Sequence, residues 1–332
     1  MVNREVIEEI GGEHRNGKDA AHHRRLEKLR RDFGPIFLAA LYDPQTIEIL
    51  LNADGTLWQE KLGGHMEIIG EMSASRAEAV MRTIAACLDT VITRDHPMLE
   101  GELPLDGSRF AGQLPPIVSA PTFAVRKRAS SVFTLAQYVE QGIMTPEQKQ
   151  TLCSAILEHQ NILVIGSTGS GRTTLTNGLI HEMTCLCPHE RIIIIEDTGE
   201  IQCAARNAVL YHTTAEVTMT KLLRTSLRMR PDRILVGEVR GPEALDLLMA
   251  WNTGHPGGIA TLHANTASSG LSRLASLISM ARDYPKPIEP LIGEAVDFIV
   301  HIAKENHSRK IKEILRVTSY NTQTNSYDLS TL

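Results

Sequence analysis

The sequence has few aromatic residues, few cysteines and no long hydrophobic run. Aromatic residues make up 4% of the 332 positions and are not interleaved with basic clusters, unlike the stacking surfaces that bind single-stranded nucleic acids. No apolar run approaches the roughly 20 residues needed to span a bilayer, and residues 1–19 lack a signal-peptide core. The five cysteines are an odd number, which is typical of a reducing compartment. These absences predict a cytoplasmic protein without direct sequence-specific nucleic-acid binding.

The composition is otherwise that of a soluble protein with a large core. Hydrophobic residues make up 42% and charged residues 22% of the chain, and the length favours two domains. The net charge of −5 gives the whole molecule no electrostatic attraction to nucleic acid, so any basic function must be local.

A basic run at residues 22–31 lies beside Leu26, Leu29, Phe33 and Phe37, which recur at helical spacing. This pattern predicts an amphipathic basic helix. The helix could contact a membrane surface or an acidic partner, or it could pack its apolar side on its own domain.

The pattern of elements changes along the chain. Short strand signals and one helix between residues 46 and 128 predict an α+β domain, which with the basic helix gives an N-terminal domain at 1–128. Residues 129–144 carry no strong strand signal and form the predicted linker. From residue 145 onward, apolar strands alternate with helices, which predicts an α/β domain at 145–332 with a parallel sheet covered on both faces.

The second predicted domain contains a phosphate-binding loop. An apolar strand leads into the spacing G-x-x-x-x-G-R-T, which matches the phosphate-loop pattern except that Arg172 replaces lysine. The glycines let backbone N–H groups point inward, and the helix that follows adds a partial positive charge. The Thr173 hydroxyl is the predicted Mg²⁺ ligand. The predicted nucleotide-binding residues of the loop are Gly166, Ser167, Thr168, Gly169, Ser170, Gly171, Arg172, Thr173 and Thr174.

Three carboxylates follow apolar strands of the same domain. Glu196 and Asp197 end one strand and Glu238 ends another, at the edge where ligands bind in open α/β sheets. An acid held by a rigid strand can order the waters of Mg²⁺ or polarise an attacking water. Glu196 and Asp197 could instead cap a helix and face solvent.

Histidines and arginines supply further candidates. His255 and His263 lie in a glycine-rich turn and at a strand end, where they could donate hydrogen bonds to a γ-phosphate. The arginines between residues 224 and 240 could include one that contacts the transferring phosphate, or they could form a solvated or subunit-contacting face.

Taken together, the phosphate loop, the run IIIIEDTGEI at 192–201 and the stretch at 223–266 resemble the secretion-ATPase superfamily. The similarity is greatest to its type IV secretion and conjugal-transfer branch. The four-cysteine zinc element of the type II branch is absent from the sequence. The resemblance implies a RecA-like motor domain with a smaller α+β N-terminal domain, arranged as a homohexamer with ATP and Mg²⁺ between the two domains.

The resemblance also implies roles for individual residues. Glu196 and Asp197 correspond to the Asp box, Glu238 to the Walker B acid, and residues 255–263 to the His box. Arg109 and Arg126 match the positions at which the N-terminal domain supplies arginines to the nucleotide. The catalytic set predicted in this way is Glu238, Glu196, Asp197 and His263.

Arg172 stands where this family has lysine. Lysine is a compact point charge, whereas the arginine side chain is larger and planar, so the exchange is not conservative. We expect nucleotide still to bind and hydrolysis to fall by about one order of magnitude or more.

The function expected from the resemblance is ATP hydrolysis that energises pilus assembly or substrate export in conjugative DNA transfer. The partners would be other components of a type IV secretion apparatus, with peripheral contact at the cytoplasmic face of the inner membrane. The alternatives are a type IV pilus motor and a nucleotide-binding ring scaffold without hydrolysis. A DNA-translocating helicase is disfavoured by the lack of a basic groove with aromatic residues.

Overall fold

The structure, a computed structural model, describes residues 4–61, 64–127, 132–214, 216–305 and 308–332, and of residues 4–19 the backbone alone. Contacts divide the chain into two units, Met1–Ser130 and Ser131–Leu332. The predicted domain limits at 128 and 144 remain a prediction, and residues 128–131, where the predicted linker begins, lie outside the described residues. No described helix is long and apolar enough to cross a membrane.

The described part of the first unit contains an antiparallel sheet of six strands and two helices. The helices are α1 (Arg4–Tyr42), which is interrupted at Gly34, and α2 (Ala74–Cys87). The strands are β1 (Thr46–Leu51), β2 (Thr56–Lys61), β3 (Met66–Glu71), β4 (Met98–Glu102), β5 (Arg109–Gln113) and β6 (Thr122–Arg126), in the order β3-β2-β1-β6-β5-β4. The β1–β2 turn contains the pair Asp54-Gly55, which is typical of tight hairpins, and Gly55 has φ 87°.

The apolar side of α1 packs on its own unit. Leu29, Phe33 and Phe37 are at most 2% exposed, and the rings of Phe33 and Phe37 stack with centroids 3.8 Å apart. Of the two interpretations of the basic helix, packing is therefore the one the structure shows for this stripe. The stripe is not a surface left open to a membrane.

The second unit is built on a mixed sheet of eight strands. The strands are β7 (Ile162–Gly166), β8 (Ile192–Glu196), β9 (Ala208–His212), β10 (Arg233–Val236), β11 (Ile259–His263), β12 (Phe298–Glu305), β13 (Ser308–Asn321) and β14 (Ser326–Thr331). Their order is β14-β13-β12-β7-β11-β10-β8-β9. The strands from β12 to β9 pair in parallel, and β13 and β14 add antiparallel pairs at one edge.

Helices cover both faces of this sheet. They are α3 (Leu135–Glu140), α4 (Pro146–Leu157), α5 (Arg172–Leu186), α6 (Met219–Ser226, followed by a 3₁₀ turn at Leu227–Met229), α7 (Glu243–Asn252), α8 (Ala267–Ile278) and α9 (Glu289–Ala295). Because strand side chains alternate, Leu163 and Ile165 face one core with α7 and α8, whereas Ile162 and Val164 face the other with α4 and α5. The predicted α/β class and parallel, doubly covered sheet are confirmed.

Several elements were not predicted. Helix α3 lies inside the predicted linker, where Thr134 and Gln137 form a capping box. The short or exposed elements β3, β9, α9 and β14 were also missed. Helix α4 also begins with a capping box, formed by Thr145 and Gln148, and has Pro146 in its first turn.

Candidate active site

The conformation of the loop between β7 and α5 depends on two glycines that have positive φ angles. Gly169 has φ 72°, and Gly171, the N-cap of α5, has φ 99°, values that residues with a Cβ rarely adopt. A Cβ built on Gly169 would meet nothing within 4 Å. The loop therefore leads into the N-terminus of α5 and leaves open space beside Gly169.

The start of the loop is tightly packed. A Cβ built on Gly166 would collide with the carbonyl oxygen of Ile302 and with the hydroxyl of Ser170. Ser170 is fully buried, and its backbone N–H donates to the carbonyl of Ser167 over 3.2 Å. Ser170 thus shapes the loop from inside, whereas Ser167 and Thr168 are exposed.

This loop fits the phosphates of a nucleotide. The first N–H groups of α5 have no acceptor within the helix, and the helix dipole places partial positive charge in front of them. The N–H groups of Arg172, Thr173 and Thr174 belong to this first turn. An anion of the size of a phosphate group is the natural acceptor for such an arrangement.

The Arg172 side chain contacts two residues at the ends of neighbouring strands. Its Nη1 donates to Oε1 of Glu238 over 3.2 Å, and its Nη2 donates to Nε2 of His263. The side chain is only 11% exposed. The positive charge of the loop is thus directed at the carboxylate predicted to be catalytic.

Glu238 is held by two arginines. Besides Arg172, Arg240 donates to Oε2 of Glu238 from Nε over 2.7 Å and from Nη2. Burial by itself would raise the pKa of Glu238, but the hydrogen bond from Arg240 and the charges of Arg240 and Arg172 outweigh it, so the pKa lies below its ordinary value. The carboxylate is therefore ionised at neutral pH.

His263 is held in its neutral form. Burial and the adjacent charge of Arg172 lower the pKa of His263. These effects outweigh the opposing effect of Glu238, although Oε1 of Glu238 lies only 2.9 Å from Nε2 of His263. Nε2 of His263 thus lies between a guanidinium donor of Arg172 and a carboxylate acceptor of Glu238.

Arg240 joins Glu238 to Asp197. Its Nη1 donates to Oδ2 of Asp197 over 3.3 Å, while the hydroxyl of Thr213 donates to Oδ1 of Asp197 over 2.9 Å. The structure thus brings Asp197, Glu238, His263 and the loop to one edge of the sheet, as expected from the carboxyl ends of parallel strands.

Glu196 points into the chain that follows it. It is 3% exposed, and its Oε2 accepts the backbone N–H groups of Glu200 over 2.9 Å and Ile201 over 3.0 Å. Of the two interpretations made from the sequence, these hydrogen bonds are closer to capping, although the residues that Glu196 caps form a loop. The carboxylate fixes the segment after β8, and its catalytic role remains a prediction.

Thr173 lies beside a carboxylate that the sequence did not single out. Its hydroxyl donates to Oε2 of Glu200 over 3.5 Å, and the backbone of Glu200 is held by Asn177, whose Nδ2 donates to its carbonyl over 3.2 Å. Oxygen atoms of a threonine and a carboxylate are the ligands that Mg²⁺ prefers, together with waters. The donor set at Thr173 therefore fits Mg²⁺.

His255 does not join the site. Its Nδ1 lies 3.1 Å from the carbonyl oxygen of Pro231, just before β10 begins, whereas His263 ends β11. The length of β11 separates the two histidines, so the expectation that both sense one phosphate is wrong. His263 alone lies beside the loop.

Arg109 and Arg126 belong to the first unit. They pair directly across β5 and β6, which places two arginines side by side on one sheet. Arg126 is exposed. Their contact with nucleotide remains a prediction.

Sequence reasoning missed Glu200 and left Arg240 undistinguished among the arginines. Glu200 follows Asp197 in the segment after β8, so its position at the carboxyl edge was a usable signal. Nothing in the sequence indicated which arginine of the series would pair with Glu238.

Comparisons with known proteins agree with this architecture. A family model described as "Type II/IV secretion system protein" matches residues 38–327. A "Probable conjugal transfer protein TrbB" of Sinorhizobium fredii is 47% identical over 300 residues, which cover 90% of this chain and 92% of the relative. A "Conjugal transfer protein TrbB" of Rhizobium radiobacter is 45% identical over the same length and the same shares of each chain.

Solved structures share the fold. The X-ray structure of the Legionella pneumophila ATPase DotB matches 80% of this chain and 74% of its own, with a TM-score of 0.58 at 19% identity. The resemblance expected from the sequence motifs is confirmed by the family match and by the two TrbB relatives. The chain belongs to the type II/IV secretion system protein family.

Proposed function

We propose that this protein is an ATPase that energises conjugative DNA transfer through a type IV secretion apparatus. The observation that carries the proposal is the convergence of the phosphate loop, Thr173 with Glu200, and the ionised Glu238 at one edge of the sheet. The two relatives named as TrbB conjugal transfer proteins support conjugation as the process that is energised.

Each residue of the site has a proposed role. The backbone N–H groups from Gly169 to Thr173 would hold the phosphates, and Thr173 would hold Mg²⁺, which supplies positive charge at the phosphates. Glu238 orients the attacking water, and Asp197 assists by holding Arg240 in place. Glu196 assists indirectly by fixing the segment that carries Glu200.

Arg172 must change partners when a nucleotide binds. In the structure its guanidinium pairs with Glu238, and this pairing occupies both the charge that would bind the phosphates and the carboxylate that would orient water. Hydrogen bonds to charged groups contribute about 1.5–3 kcal/mol, so breaking this contact opposes productive binding. We therefore propose that hydrolysis is slow but not abolished.

The same contact supports a second candidate function. A site in which Arg172 keeps Glu238 and His263 engaged could bind nucleotide without hydrolysing it, and the protein would then be a structural ring component. The two functions differ in turnover and agree in nucleotide binding.

The family resemblance supports a proposed assembly. We propose a homohexamer that acts in the cytoplasm, at the inner face of the inner membrane, with other components of the secretion apparatus as partners. Arg109 and Arg126 would contact the nucleotide, and His263 would couple the γ-phosphate to domain movement. A pilus-retraction motor is the alternative within the same class.

Complementation separates these functions. A conjugation-deficient donor that lacks its own TrbB relative is supplied with the wild-type chain, with Glu238→Gln, or with Glu158→Gln as an exposed control. Restored transfer that is lost only with Glu238→Gln supports the proposal. Transfer restored equally by Glu238→Gln supports the scaffold, and restored pilus retraction without DNA transfer supports the pilus motor.

A further inference from the structure

The hairpin of β12 and β13 extends past the edge of the sheet beside the phosphate loop. β12 pairs with β7 as far as His301 opposite Ile165, but it continues to Glu305. Arg309 on β13 lies opposite Lys304, within this overhanging part. The hairpin therefore places Arg309 next to the loop that follows β7.

Arg309 lies directly against the last glycine of the loop. A Cβ built on Gly171 would be 2.9 Å from Cδ and 3.1 Å from Nε of Arg309. The side chain of Arg309 thus occupies the space that any residue other than glycine would need at position 171. This contact places its Nε within reach of the entrance to α5.

The Nε–H of Arg309 has no acceptor among the described residues. This nitrogen is buried and makes no hydrogen bond within the part of the chain that the structure describes. Buried donors in proteins are nearly always paired, and each exception calls for a physical explanation. A guanidinium beside a phosphate cradle has an obvious class of acceptor, the oxygen of an anionic ligand.

Arg309 lies on the opposite side of β7 from the catalytic carboxylate. β11 and β10, which carry His263 and lead to Glu238, flank β7 on one side, whereas β12 and β13 flank it on the other. In the proposed function the transferred phosphate faces Glu238. The phosphates that are not transferred would then face the hairpin.

We infer that Arg309 is a nucleotide-binding residue that donates a hydrogen bond from Nε to the α-phosphate of the bound adenine nucleotide. This inference rests on the proposed function, because it requires a nucleotide at the loop. Arg309 would thus supply a positively charged donor to the nucleotide, in addition to the backbone N–H groups of the loop. The contact is made with ADP and with ATP alike, so it holds the nucleotide in place without taking part in phosphate transfer.

The chain offers a matched control next to this residue. Lys310 carries the same charge and is exposed, and its side chain points to the opposite face of β13 because neighbours on a strand alternate. Arg309→Met keeps most of the apolar stem against Gly171 and removes the donor. Lys310→Met removes one positive charge from the same hairpin and leaves the Nε of Arg309 in place.

The test is calorimetric titration of the full-length wild-type protein, Arg309→Met and Lys310→Met with ADP and with a non-hydrolysable ATP analogue, after thermal melting has compared their stabilities. We expect Arg309→Met to raise both dissociation constants by a common factor of about ten or more, and Lys310→Met to change them less than about twofold. If Arg309→Met lowers the melting temperature, Arg309→Lys is titrated as well and should also bind both nucleotides more weakly, because its ammonium lacks the planar donor geometry.

Three results would overturn the inference. Equal affinity of Arg309→Met and wild type shows that Arg309 only packs on Gly171. A loss confined to the ATP analogue moves the contact to the γ-phosphate. If the wild-type protein binds neither nucleotide, the proposed function itself fails and the inference falls with it, whereas the first two results leave the proposed function intact.

Discussion

The guanidinium of Arg172 donates a hydrogen bond to the carboxylate of Glu238 over 3.2 Å and also contacts His263. A residue of the phosphate loop is thereby hydrogen-bonded to the carboxylate that follows β10. Arginine is long enough, and has enough donors, to engage both partners at once. The charges of Arg172 and Glu238 neutralise each other in this state, which is the physical basis for the predictions on Arg172.

Arg172→Lys should speed hydrolysis. Lysine has one compact ammonium group, which cannot hold Glu238 and His263 in the same way and suits the β- and γ-phosphates better. We expect the steady-state rate of ATP hydrolysis to rise by about tenfold or more. Arg224→Lys, at an exposed ion pair with Asp246, is the control and should leave the rate unchanged. A lysine variant that is no faster than wild type would show that the arginine has been accommodated.

Removing the charge of Arg172 should raise the pKa of His263. After burial, the guanidinium is the largest contribution that lowers this pKa, and Glu238 would then act on the imidazole without opposition from Arg172. The measurement is a pH titration of the histidine ring protons by NMR in the wild type, Arg172→Met and the control Arg224→Met. A pKa that stays the same in Arg172→Met would contradict the contact.

The lowered pKa of His263 also predicts how stability depends on pH. The unfolded chain binds a proton at His263 near its ordinary pKa of 6.5, but the folded site resists that proton, so stability from this group falls as the pH drops below 6.5. His263→Gln should therefore lose less stability than wild type between pH 7.5 and pH 5.5, as measured by urea unfolding. If the unfolding free energies of the two proteins change equally with pH, this effect of His263 is ruled out.

The lowered pKa of Glu238 predicts how stability depends on pH in the acidic range. Its folded pKa lies below the ordinary value of 4.5, so its contribution to stability is complete above that pH and is lost as the pH falls through the lower folded value. Because Glu238 also acts on the pKa of His263, the comparison is made between His263→Gln and the double variant His263→Gln/Glu238→Gln. Their difference in unfolding free energy should stay constant from pH 7 to about pH 5.5 and change only below about pH 4.5. A difference that already changes near neutral pH would contradict the assigned direction.

The packing at Gly166 can be tested with a second glycine as control. Gly166→Ala would drive a methyl group into the carbonyl of Ile302, and we expect a loss of about 1–3 kcal/mol in the free energy of unfolding. Gly270 lies inside α8, and a Cβ there would be 3.4 Å from Ile165, an ordinary contact. Gly270→Ala should be neutral or more stable by up to about 1 kcal/mol, because alanine favours helices.

The elements that position the site could be predicted because their signals are local. The apolar runs of β7 and β8, the glycine spacing of the loop and the capping box at Thr145 each depend on neighbouring residues. The elements that were missed lack such signals. β14 is a polar strand exposed at one edge of the sheet, and β9 presents the half-exposed Leu210 at the other.

The contacts inside the site could not be predicted because they join residues far apart in the chain. Glu196 and Asp197 are neighbours, yet one accepts backbone N–H groups and the other contacts Arg240. Their side chains leave the strand end in opposite directions, and only the path of the following segment decides which one faces Glu238. The same holds for Arg172, whose partners lie 66 and 91 residues further along.

The most direct test of the account is steady-state ATP hydrolysis by the wild-type protein, Arg172→Lys and Glu238→Gln, each measured on a sample whose size has been determined. The account predicts slow turnover by the wild type, faster turnover by Arg172→Lys and none by Glu238→Gln, with ADP binding retained in all three. Turnover by Glu238→Gln at the wild-type rate would contradict the assignment of the site. If all three proteins bind ADP and none of them hydrolyses ATP, the scaffold would instead be favoured.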